Sequence, residues 1–186
     1  MLDRVVDASP RFKARMAGGL SLLGLLSAAF GEFFVRRLEI AGDLIAVVCM
    51  VAVTLLLYII FKPVNQALAL LAASFNLVGL TCGALRWNPR GVDIPVAFNG
   101  FCCLLISYLI VRSNFLPRIL GALMAISGVG WLTFLSPLLA NHLFPYNLGS
   151  GILGQESVML WLLVMGVNVK RWREQASGVR VTNHSK

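Results

Sequence analysis

GQESVMLWLLVMGVNVKRW, residues 154–172, reads as a membrane-spanning helix. It carries a carboxylate, Glu156, just inside one end, and a cationic anchor, Lys170-Arg171-Trp172-Arg173, closes the other. A charged group inside hydrocarbon is costly, so an acid within a span is a functional-site hypothesis from the outset. The composition agrees with the membrane reading. Only 13% of the 186 residues are charged and 58% are apolar, whereas soluble domains carry about 25% charged residues. The net charge of +8 does not point to nucleic acid, because the cations sit in short segments between long apolar runs.

Five further runs lie upstream. A basic segment, residues 1–15, holds Arg4, Arg11, Lys13 and Arg15, with Pro10 expected to break any long helix there. The spans are expected at about 16–35, 44–61, 67–85, 95–111, 119–140 and 152–169, each near the ~20 residues that cover ~30 Å of hydrocarbon. A basic tail, 170–186, follows. A cleaved signal peptide is the alternative for the first run, which contains Ser27-Ala28-Ala29, but its length and the spans that follow at once favour a helix that stays. The turn Lys62-Pro63-Val64-Asn65-Gln66 makes the second and third runs a tight hairpin. The expected fold is therefore all-α: a polytopic transmembrane bundle of six helices with short loops. Twelve of the 16 Lys and Arg fall on the side of the N-terminus, so the positive-inside rule puts both termini in the cytoplasm. YIIFK at 58–62 recurs as YLIVR at 108–112, a short parallel echo that lends nothing to an inverted-repeat transporter.

Several stretches carry a resemblance. ARMAGGLSLL (14–23), FGEFFVR (30–36), LYIIFKPVNQALALLAASF (57–75), SNFLPRILGALMAISGVGWL (113–132) and GQESVMLWLLVMGVN (154–168) touch five of the six runs. On these the chain resembles a family of bacterial six-span membrane proteins defined by a domain of unknown function. The resemblance implies a multi-pass protein of the bacterial cytoplasmic membrane and carries no biochemistry with it. The chain departs from the pattern at three places: a short segment from Arg36 to Asp43, Asn76 where an arginine is common, and Gln155 between Gly154 and Glu156. One residue turns a side chain by about 100° on a helix, so the family's glutamate is not carried over to Glu156.

In the expected topology Glu32, Asp43 and Glu156 share the outer leaflet with Arg36 and Arg37. These five form the candidate binding cluster, a polar pocket opening outward for a cation, a proton or a small polar ligand. The plainer alternative is interface chemistry: Asp43 caps the second helix, Glu156 favours the positive end of the last, and Glu32 pairs with an arginine. The sequence favours the plainer account. No catalytic residue, cofactor or metal site is expected. Nothing in the sequence gives His142 and Ser150 the geometry a serine hydrolase needs, and the expected spans contain no histidine to ligate haem. Cys49, Cys82, Cys102 and Cys103 read as small apolar core residues. Gly79 and Gly83 form a GxxxG that suits close packing, within the chain or between copies, with packing within the chain the plainer account, and Trp131 and Trp161 read as core. The functional expectation is an uncharacterised structural or accessory membrane protein. Its expected partners are the lipid bilayer and a membrane protein or a second copy of the chain, with no nucleic acid. The alternative is a small transporter or ligand-binding protein built on the outer acids.

Overall fold

A computed structural model describes residues 9–33, 39–85 and 92–184 of the chain. Helix α1, Pro10–Phe33, opens with Ser9, whose hydroxyl accepts from the Phe12 amide at 3.3 Å. Pro10 is thus the first residue of the helix, where its missing N–H costs nothing, and the basic stretch Arg11–Lys13–Arg15 belongs to α1 rather than to a broken lead-in. Then come α2, Glu39–Phe61, and α3, Gln66–Ala84. Asn65 caps α3, its side chain accepting from the Leu68 amide at 3.1 Å. Helix α4, Ile94–Arg112, carries Pro95 in its first turn, and α5, Arg118–Leu132, follows Pro117. A 3-10 turn, Thr133–Leu135, a break at Ser136 and the short α6, Pro137–Leu143, replace the second half of the run read at 119–140. Helix α7 is Tyr146–Val164 and α8 is Val169–His184.

The last helix differs most from its sequence reading at 152–169. It starts at Tyr146 and ends at Val164, and the chain then turns by 100° into α8. The physical cause lies in three residues. Gly166 takes φ 70, a left-handed conformation that glycine adopts without steric cost. Its amide and that of Met165 both reach back to the Trp161 carbonyl, at 3.2 and 2.9 Å. Asn168 then restarts the helix, its side chain accepting from the Arg171 amide at 3.3 Å. A glycine stop and an asparagine start, two residues apart, make the hinge.

Helices α1, α2, α3, α4, α5 and α7 form a ring in which each packs on its neighbour in the chain and α7 closes back on α1. Glycines set the spacing. A methyl group on Gly100 of α4 would stand 3.0 Å from the Gly128 carbonyl of α5, and one on Gly128 would stand 3.0 Å from the Gly100 carbonyl. One on Gly18 of α1 would stand 2.7 Å from the Leu163 amide of α7. Backbones that approach this closely gain dispersion contacts along their length, which drives helix association where lipid removes the hydrophobic term. Gly79 and Gly83 face Pro95 at the start of α4, so the GxxxG is used within the chain. The four cysteines are buried and unpaired.

The outward faces are apolar on every ring helix: Leu26 on α1, Leu44 and Val48 on α2, Leu70 on α3, Tyr108 and Val111 on α4, Ile119 and Val129 on α5, Leu153 and Val164 on α7. So much exposed hydrocarbon all round is unstable in water and at ease in lipid. Among the described residues four helical segments are long and apolar enough to cross a membrane, Ala41–Phe61, Gln66–Ala84, Ile94–Arg112 and Arg118–Leu135. A fifth is added if α7 and α8 count as one bent span. Among the described residues the fold is all-helical, with four to five segments fit to cross a membrane.

Candidate functional site

The interior between α4, α5 and α7 is where polar side chains gather. Gly151 and Gly154 bring α7 against α5: a methyl on Gly151 would stand 2.6 Å from the Trp131 ring, and one on Gly154 would stand 2.8 Å from the Ser127 side chain. In that contact the Ser127 hydroxyl donates to the Gly151 carbonyl. One residue along, Gln155 Oε1 accepts from Asn99 Nδ2 of α4 at 3.1 Å and from the Cys103 thiol at 3.7 Å. Nearer the start of α7, Asn147 Nδ2 donates to Thr133 Oγ1 at 3.1 Å and to the Ala140 carbonyl at 3.2 Å. The break at Ser136 and the start of α7 are thereby stitched together.

A second clamp joins α2 to α3. Asn76 Nδ2 donates to Thr54 Oγ1 at 2.7 Å, and the Thr54 hydroxyl donates to the Met50 carbonyl at 2.7 Å. No motif in the sequence marks these pairings. Their signal is nonetheless there: Thr54, Asn76, Asn99 and Gln155 are polar letters within apolar runs, and a buried amide or hydroxyl must find a partner.

Glu156 stands ten residues past the start of α7, roughly 15 Å along its axis. It is therefore near the middle of the helix and not one turn from its beginning. The interval to Met159 is three residues and to Leu163 seven, so Glu156 shares the face those two turn toward Gly18 of α1. Its side chain is partly buried, and Oε2 is enclosed with no hydrogen-bond partner among the described residues. Trp131 Nε1 is enclosed in the same way.

Of the other members of the expected cluster, Asp43 alone has a described side chain. Asp43 is exposed, four residues inside α2; the helix starts at Glu39, so Asp43 is not its cap. Glu32 belongs to the last turn of α1, but its side chain, like Arg36 and Arg37, lies outside the described residues. Along their own helices Asp43 and Glu156 sit about one turn and nearly three turns from the start. Among the described residues no three His, Cys, Asp or Glu come together to hold a metal ion. His142 is exposed on α6, and the Ser150 hydroxyl donates to the Asn147 carbonyl at 3.0 Å.

The opposite end of the ring gathers the start of α1, the α2–α3 and α4–α5 turns, the hinge and α8. Arg15 Nη2 donates to the Val164 carbonyl at 3.1 Å, the Asn168 amide donates to the Phe115 carbonyl at 3.4 Å, and Phe61 and Phe115 stack edge-tilted with centroids 6.1 Å apart.

Comparison with known proteins bears on this frame. The family model described as Domain of unknown function (DUF4386) matches residues 26–87 and 84–166. An uncharacterised protein of Archaeoglobus fulgidus is 24% identical over 137 residues, covering 69% of this chain and 83% of that protein. No solved structure matches. The chain belongs to the DUF4386 family.

Proposed function

We propose that this member of the DUF4386 family is a six-span protein of the cytoplasmic membrane, with its basic end in the cytoplasm. We infer that it acts without chemistry of its own, as an accessory component that holds a partner within the bilayer. The observation that carries this reading is where the interior polar groups go. Asn76, Thr54, Asn99, Gln155, Ser127 and Asn147 all bond from one helix or turn to another, the use expected of structural clamps rather than of a solute path. The sixth span is α1: it is 24 residues long, and its Gly18 and Gly24 pack on α7 and α2. Twelve of the 16 cations lie on the N-terminal side of the spans so counted, which supports this orientation. The partner is a membrane protein or a second copy of the chain.

Photo-crosslinkers placed at outward apolar positions, Leu70, Val78, Ile126 and Val129, test this in native membranes. A discrete adduct confined to one face is expected. A second reading, a small transporter or ligand-binding protein, is favoured by the Glu156 carboxylate, whose buried oxygen lacks a partner among the described residues. A screen of cations and small polar metabolites by thermal shift separates the two. A ligand that stabilises the parent but not Glu156→Gln, with no adduct from any face, would overturn the accessory reading in favour of transport.

A further inference from the structure

A cavity of about 640 Å³ opens at the basic end, between the start of α1, the α4–α5 turn and the α7–α8 hinge. Three cations from two separate stretches of chain line it: Arg11 of α1, and Lys170 and Arg171 of α8. All three are exposed, and among the described residues lining the cavity none is acidic. The hinge brings them together. A methyl on Gly166 would stand 2.8 Å from Arg11 Cγ, so the glycine both turns the chain and makes room for the arginine. Arg171 is held in place by its Nη1, which donates to the Asn114 carbonyl at 3.3 Å. A guanidinium carries five N–H donors, and this bond leaves most of them for an anion.

The rest of the lining has a different character: Trp161, Phe115 and Met165 are among its apolar members. From Met165 an exposed apolar track continues along α7 through Val164 and Leu160, four residues apart on one helix face. A free anion has no use for such a track; an acyl chain does. The 100° turn lays α8 across the axis of α7, which sets Lys170 and Arg171 at the level where headgroup phosphates lie when α7 crosses the bilayer.

We propose that this cavity binds the phosphate-bearing headgroup of an anionic phospholipid, with Arg11, Lys170 and Arg171 as the recognising cations and the Trp161–Met165–Leu160 side of α7 as the seat of an acyl chain. The site rests on the membrane placement proposed above and names one ligand for it.

The test uses the full chain in nanodiscs of phosphatidylcholine, with phosphatidylglycerol added in steps and binding read by native mass spectrometry. Lys170→Gln with Arg171→Gln, and Arg11→Gln alone, are compared with Arg112→Gln. Arg112 is a cation of the same end that stands outside the cavity, its Nε donating to the Tyr108 hydroxyl at 3.0 Å. Affinity for phosphatidylglycerol is expected to fall on the order of tenfold in the double variant and severalfold in Arg11→Gln, with Arg112→Gln near the parent. Equal losses in all three variants would mean diffuse surface charge and overturn the site. So would inorganic phosphate displacing the lipid at equal concentration, which would make the ligand a free anion. Retention in membranes after carbonate washing is read on the same variants. A chain that washes out overturns the placement and the site together; a retained chain indifferent to phosphatidylglycerol overturns the site alone.

Discussion

The indole Nε1 of Trp172 donates to the carbonyl of Ile60 at 2.9 Å, across 112 residues of chain. Ile60 is the next-to-last residue of α2, so its carbonyl is one of those a helix end leaves without an intrahelical partner. The bond fixes α8 to the ring. Trp172→Phe keeps most of the apolar contact and removes the donor. It should cost about 1 kcal/mol, seen as a drop of a few degrees in the Tm of the detergent-solubilised protein. An unchanged Tm would mean that α8 is held by other contacts.

The hinge makes a sharper demand. Gly166→Ala must place a Cβ at φ 70 and 2.8 Å from Arg11 Cγ. The left-handed conformation alone costs about 1–2 kcal/mol for an L side chain. The variant should lose stability by at least that much, and limited proteolysis should cut between α7 and α8 faster than in the parent.

Glycines in α7 differ in what surrounds them, which gives a paired prediction. Gly154→Leu drives a side chain into Ser127 and should destabilise by about 1–3 kcal/mol or prevent folding. A methyl group on Gly149 would meet nothing within 4 Å. Gly149→Ala should therefore be neutral or stabilise by up to about 1 kcal/mol. Unfolding in SDS titrations reads both; equal effects would contradict the packing of α7 on α5.

The amide–hydroxyl clamp between α2 and α3 predicts coupling. In a double-mutant cycle of Asn76→Leu and Thr54→Val the coupling energy should be about 0.6 kcal/mol, with about 1.7 the upper end for membrane helices. Additive effects would mean that the bond contributes no more than the lipid-exposed state replaces.

Much of this frame can be read from apolar runs alone. The runs at 44–61, 67–85 and 95–111 fall within a residue or so of α2, α3 and α4, save that α2 begins earlier, at Glu39. Hydropathy fails at the last span for a definite reason. Tyr146 to Gly151 is polar and small, so it scores as a loop, yet Asn147 and Gly151 are what α5 packs against. At the other end Gly166-Val167-Asn168 looks apolar enough to continue, while its glycine and asparagine end one helix and start another. The misplaced start moves Glu156 from the helix end toward its middle. The cationic cavity is beyond any linear reading, because Arg11 and Arg171 stand 160 positions apart and only the ring brings them to one end.

The six-span proposal requires α1 to cross the bilayer, and the proposed orientation requires the basic end to face the cytoplasm. Substituted-cysteine labelling in intact cells tests both at once, with Cys49, Cys82, Cys102 and Cys103 replaced by alanine and single cysteines placed at Ser9, Val64, Asn114 and Ser177, then at Trp87 and Asn141. A membrane-impermeant maleimide should label Trp87→Cys and Asn141→Cys in intact cells, and the other four only after lysis. Labelling of Ser9→Cys from outside while Asn114→Cys stays protected would put α1 on the wrong side of the ring and contradict the six-span arrangement.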